Sequence, residues 1–210
     1  CEQLGGEGWD ILDIGGESTR PGSPAVPLDE ELARVLPVVR AAVKLGVPVS
    51  VDTCKPQVMG EVLDAGADIV NDIWALRQPG ALEAVAAYAG CGVCLMHMHR
   101  DPQTMQAAPM AGEVLGAVQS FLAERAAVLR AAGVAEPRIV LDPGIGFGKT
   151  VAQNFELLEK QAQLLALGYP VLAGWSRKSS LGAVTGIQDG RERMVPSVAG
   201  GLMGVGGGGR

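Results

Sequence analysis

The sequence predicts an α/β fold of the (β/α)8 TIM-barrel type, and three observations carry that expectation. Short aliphatic, β-branched runs alternate strictly with longer amphipathic segments, which calls for parallel strands joined by crossover helices. The runs are nearly continuous in apolar residues, as in sheets covered on both faces. Each run ends in or just before a polar side chain: Asp13, Asp52, Asn71, His97, Asp142 and the 176–178 stretch. A barrel brings every strand end to one mouth, whereas an open doubly wound sheet needs such residues only at its switch point. The barrel is favoured.

In chain order, strands are expected at 10–14, 47–52, 68–71, 92–97, 138–142 and 171–175, and helices at 29–44, 56–65, 81–89, 111–132 and 151–167. The fourth helix is the clearest, because Val114, Leu115, Val118, Phe121, Leu122, Ala126 and Leu129 recur at spacings of three and four. Pro56 suits a first helical position, and Gly66, Gly133 and Gly168 suit helix stops. The chain therefore reads as one domain over 1–210 with about six βα units. Two further units of about 30 residues, a first and an eighth, would bring it near the ~250 residues usual for a barrel.

With 210 residues, 48% of them apolar and 19% charged, the chain can bury a core and is not globally disordered. A formal charge of −6 argues against nucleic acid or a membrane surface as partner. An anionic substrate would need a local basic pocket. No stretch approaches the roughly 20 apolar residues of a membrane span, and no signal peptide is seen. Cys1, Cys54, Cys91 and Cys94 do not form a disulfide framework, which points to a reduced, cytoplasmic protein.

Three loops carry chemistry. Gly15-Gly16-Glu17-Ser18-Thr19-Arg20-Pro21-Gly22 follows the first strand, with an arginine fork suited to phosphate oxygens. An ordinary surface turn would explain that composition equally well. Asp142-Pro143-Gly144-Ile145-Gly146-Phe147-Gly148-Lys149-Thr150 follows the fifth strand; it is not a P-loop, which would need Gly where Pro143 stands. Phe147 between glycines is easier to explain as a stacking wall than as core. Gly174-Trp175-Ser176-Arg177-Lys178-Ser179 places two cations and two hydroxyls at an expected helix start, tolerant of anions, although a basic surface helix would look the same. Cys91 and Cys94 with His97 and His99 imitate a metal or redox cluster, but they enter a strand, and buried apolar thiols are the simpler reading. No nucleophile elbow surrounds Ser18, Ser176 or Ser179.

Together with Ser50-Val51-Asp52-Thr53, Asn71-Asp72-Ile73 and Leu95-Met96-His97-Met98, these loops resemble the dihydropteroate synthases, in order and over nearly the whole chain. The resemblance implies a barrel that joins 6-hydroxymethyl-7,8-dihydropterin diphosphate to p-aminobenzoate in folate synthesis, with Mg²⁺ on the leaving diphosphate. It implies that Asp52, Asn71, Asp142 and Lys178 hold the pterin, with Met96 packed on it. Thr19 and Arg20 would face the diphosphate. Phe147 and Lys178 would flank the aminobenzoate, with Ser179 near its carboxylate, and Gly146 would be a further substrate-binding residue. It further implies a cytoplasmic homodimer and a sulfonamide target. The family's first strand supplies a metal-binding Asn and its eighth an Arg and a His that grip diphosphate; these are expected to be lacking here. A catalytically impaired pterin-binding fragment, or a methyltetrahydrofolate–corrinoid methyltransferase domain, are the alternatives, and the second has no use for the 18–22 loop or for 176–179.

Overall fold

The computed structural model describes residues 10–20 and 22–209, which fall into two compact units. The first comprises 10–95 with Ala126–Ile139, the second Met96–Arg125 with 140–209.

In the first unit, β1 (Leu12–Gly15), β2 (Val49–Asp52), β3 (Ile69–Asp72) and β4 (Gly92–Met96) pair in parallel in chain order. The register sets Gly15 opposite Asp52, Asp52 opposite Asn71, and Asn71 opposite Cys94, so these positions share one level of the ladder. Val49, Ser50 and Val51 are all buried although their side chains alternate faces, as expected for a sheet covered on both sides. The cover includes α1 (Leu28–Ala42), α2 (Pro56–Asp64) and α3 (Ala81–Ala86), with Val35, Val39, Val58, Met59 and Val62 fully buried. Asp29, Glu30 and Glu31 crowd the first turn of α1, where the helix dipole favours them. Pro56 opens α2 as expected, and Gly66 and Gly133 have left-handed φ values of 100° and 90° at the stops expected of them.

The helix expected at 111–132 is α4 (Val114–Ala131), with Val118, Leu122 and Leu129 on its buried stripe. In the second unit follow the end of β5 (Ile139–Asp142), α5 (Val151–Glu159), α6 (Gln161–Leu165), α7 (Ser179–Thr185) and α8 (Met194–Gly206). The structure differs from expectation at four places. The strand expected at 171–175 is a single bridge from Leu141 to Val171, with Leu172 N–H donating to the Leu141 carbonyl at 2.8 Å. Beyond it the Asp142 carbonyl takes the His97 N–H at 2.9 Å and Pro143 has no N–H, so the ladder cannot continue. The helix expected at 151–167 breaks at Lys160, next to Gln161, whose buried amide donates to the Gly204 carbonyl at 2.7 Å. Asp13 is the second residue of β1 rather than its end. Finally, α8 forms despite the poor helix propensity of its glycines. A Cβ at Gly204 would lie 2.9 Å from Ala173 Cβ, and one at Gly200 3.2 Å from Trp175 Cβ, so close packing demands glycine there. Among the described residues no helix is long and apolar enough to cross a membrane.

Candidate substrate-binding site

In the first unit Asp52 closes β2, flanked by Gly15 and Asn71, and Asn71 Nδ2 donates to Asp13 Oδ2 at 3.4 Å. Burial, followed by the negative charges of Asp13, Asp72, Glu31 and Glu17, pushes the Asp52 carboxyl up to about 7. A carboxyl held at that value takes or releases a proton near neutrality, next to a carboxamide able to donate and accept. Asp72, by contrast, is fully buried and committed: it accepts from Trp74 N–H at 2.9 Å and Leu76 N–H at 2.7 Å. It thereby clamps a turn in which Ala75 and Leu76 adopt φ of 53° and 54°.

The loop after β1 is firm at its root and open further along. A Cβ on Gly16 would lie 2.8 Å from Val35 Cγ1 and 2.9 Å from Glu31 Cγ, so only glycine fits. Thr19 is half-buried and Arg20 exposed; Ser18 Oγ accepts from Ser23 Oγ at 3.0 Å. Pro21 lies outside the described residues.

In the second unit the loop after β5 folds around a buried lysine. Gly144, Gly146 and Gly148 have φ of 69°, 84° and 70°, and a Cβ on Gly144 would lie 1.9 Å from the His97 carbonyl oxygen. Lys149 Nζ donates to the carbonyls of Gly144 at 2.8 Å, His97 at 3.2 Å and Phe147 at 3.2 Å. Burial pushes its ammonium down to about 7, against the pull of Asp142. Asp142 is buried, and its Oδ1 accepts from Gly144 N–H at 2.6 Å. Burial raises its carboxyl, while that N–H and the ammonium groups of Lys178 and Lys149 hold it back. Lys178 Nζ stands 4.5 Å from the centre of the half-exposed Phe147 ring, a cation–π contact that agrees with a wall rather than core. Ser179 begins α7 and is exposed; Met96 is buried at the end of β4. The 142–149 loop and Lys178 thus combine a dry carboxyl, a cation and an aromatic face.

Cys91 and Cys94 are buried, and burial holds the Cys91 thiol above its usual range, as suits a small apolar filler. His97 packs edge-on against Phe121 at 5.1 Å. Among the described residues no group of three His, Cys, Asp or Glu side chains could hold a metal ion.

The family described as "Pterin binding enzyme" matches residues 1–209. The dihydropteroate synthase of Neisseria meningitidis serogroup C is 48% identical over 98% of this chain and 73% of its own. The chain belongs to the dihydropteroate synthase family. Solved structures agree. Xanthomonas albilineans dihydropteroate synthase with 4-aminobenzoic acid matches at TM-score 0.93 and 48% identity, over 99% of this chain and 74% of that one. Burkholderia cenocepacia dihydropteroate synthase complexed with 7,8-dihydropteroate matches at TM-score 0.91 and 54% identity, over 99% and 76%. This dihydropteroate synthase family member is accordingly an α/β protein of the TIM-barrel type and a transferase of folate biosynthesis.

Sequence reasoning missed three ties that hold the candidate residues within their own units. Lys149, at the end of a loop that is not a P-loop and left without a role in the sequence, faces inward onto three carbonyls. Asn154 ties Gly146 N–H at 2.9 Å to Ser180 Oγ at 2.8 Å, and no local pattern marks it. Glu17 and Glu31 both pair with Lys55, residues 38 and 24 positions away.

Proposed function

We propose that this chain condenses 6-hydroxymethyl-7,8-dihydropterin diphosphate with p-aminobenzoate, Asp52, Asn71, Asp142 and Lys178 being the pterin-binding residues. The observation that carries this reading is Asp142: a buried carboxyl whose second oxygen suits a ligand edge made of N–H donors. Asp52 and Asn71 offer the same complementarity, and Met96 an apolar surface. Thr19 and Arg20 face the diphosphate. Phe147, Lys178, Gly146 and Ser179 serve the aminobenzoate, whose ring stacks on Phe147 and whose carboxylate meets a cation. The family match over 1–209 supports treating 1–210 as one pterin-binding domain, and the family likeness supports a cytoplasmic homodimer open to sulfonamides.

The reaction is a dissociative substitution. The bond from the exocyclic methylene to the diphosphate oxygen breaks, and diphosphate leaves with the electron pair. The pterin ring delocalises the resulting cation, and the negative charge of Asp142 and of ionised Asp52 stabilises it. The arylamine nitrogen then forms the C–N bond and sheds its proton. No covalent nucleophile is needed, consistent with the lack of a triad in the sequence. Mg²⁺ is expected with the diphosphate, but the described residues supply no cluster to hold it, and no step is assigned to it.

Two results test these assignments. The Asp52 carboxylate is the form that accepts from pterin, so pterin affinity should fall about tenfold per pH unit below about 7 and level off above it, and Asp52→Asn should flatten the profile. Because the folded value lies above the ordinary 3.8, the group's contribution to stability declines as pH rises from 3.8 to about 7. Calorimetry across pH 5–9 with a parallel melt checks both signs, and a pH-independent affinity removes Asp52 from the pterin edge. Separately, Arg20→Ala should weaken the diphosphate ligand far more than free hydroxymethyl-dihydropterin, with Lys a partial replacement because it lacks the bidentate fork. Equal losses on the two ligands would leave Arg20 with no diphosphate role.

A further inference from the structure

Lys55 has no place in the chemistry above, yet it pairs with two carboxylates at once. It stands between Cys54 and Pro56, in extended conformation at the start of α2. Its ammonium pairs with Glu17, two residues before Thr19, and with Glu31 of α1. Glu31 is 0% exposed and its other oxygen accepts from Thr53 Oγ1 at 2.7 Å. A buried carboxylate matched this closely becomes costly when one partner is removed, which suits an anchor rather than an incidental surface pair. A second tie lies one residue earlier, where Arg34 Nη1 donates to the Gly16 carbonyl at 2.8 Å and Gly16 has no room for a Cβ. Gly16 and Glu17 are therefore fixed to α1 and to the turn after β2, and Ser18, Thr19 and Arg20 leave from that fixed point into the exposed part of the loop.

We propose that Lys55 is a positioning residue: by clamping Glu17 against Glu31 it sets the root of the loop that carries Thr19 and Arg20, and with it their reach toward the diphosphate-bearing substrate. The proposal rests on the assignment of Thr19 and Arg20 to the diphosphate. Lys55 touches no substrate itself, so its effect must pass through the loop. Removing it should penalise only the ligand that the loop serves.

The test uses the 210-residue chain with Lys55→Met, Lys55→Arg, Glu17→Gln, Arg20→Ala and the double variant Lys55→Met/Arg20→Ala. Calorimetry gives the affinity of each for the pterin diphosphate and for free hydroxymethyl-dihydropterin. Lys55→Met and Glu17→Gln should each weaken the diphosphate ligand roughly tenfold and leave the free pterin within about twofold, with Lys55→Arg close to wild type. The double variant should bind little worse than Arg20→Ala alone, because two residues acting through one contact are not additive. Equal loss on both ligands, or losses that multiply in the double variant, would overturn the proposal. Hydrogen exchange of the 18–20 amides supplies a readout independent of ligand: it should quicken in Lys55→Met and be restored in Lys55→Arg, and unchanged exchange also overturns the proposal. If Arg20→Ala fails to separate the two ligands while exchange still responds to Lys55, then the assignment of Arg20 is wrong and the anchor stands. Should Lys55→Met not fold, Glu17→Gln leaves Glu31 paired and carries the same comparison.

Discussion

Asp142→Asn is expected to abolish measurable pterin binding while the fold stays intact. Asp142 Oδ1 is already committed to the Gly144 N–H at 2.6 Å, so only the second oxygen can serve a ligand. An Asn keeps the first bond by turning its carbonyl oxygen to Gly144, and this puts an NH₂ where the ligand edge presents N–H. Donor then meets donor in a buried place, which costs roughly 1–3 kcal/mol for the unpaired group and more where the lost partner was charged. The fixed negative charge that steadies the developing cation is lost as well, an effect worth about 10²–10³ in rate for a single well-placed group. Near-native melting with no heat of pterin binding is the expected pair of results. Wild-type affinity in the folded variant would remove Asp142 from the site.

Lys149→Met should be the most damaging single change in the loop after β5. Its ammonium satisfies three carbonyls at 2.8–3.2 Å, those of Gly144, His97 and Phe147. Methionine fills the volume and donates nothing, leaving buried acceptors without partners at about 1–3 kcal/mol each before relaxation. A loss on the order of 3 kcal/mol in chemical denaturation is expected. Because Phe147 shares this support, the Michaelis constant for p-aminobenzoate should rise together with the loss of stability. A variant within about 1 kcal/mol of wild type would mean that the carbonyls find other donors on relaxation.

Both expectations depend on residues whose meaning was unequally visible in the chain. Asp142 and Asp52 stood out because an aliphatic run that stops at a carboxylate is a local pattern, and both do close their strands. Phe147 was legible by exclusion, since an aromatic between glycines has no core face to join. Lys149 was not, because a lysine closing a glycine loop looks the same whether it points at a phosphate or at the loop's own carbonyls. What turns it inward is the approach of Gly144 to the His97 carbonyl, 47 positions away, close enough to leave no room for a Cβ.

The sequence by itself determined the alternation of strand and helix, the five strands found among the described residues, the helix stops at Gly66 and Gly133, and the carboxylates that close β2 and β5. Each of these follows from periodicity, propensity or backbone freedom within about ten neighbouring residues. Tertiary structure alone decided that the sixth expected strand is one bridge, that a glycine-rich segment is helical, and that Lys55 and Lys149 are anchors. Those outcomes rest on hydrogen bonds, ion pairs and close approaches between residues far apart in the chain, whose partners are chosen by packing and leave no periodic trace in the residues themselves.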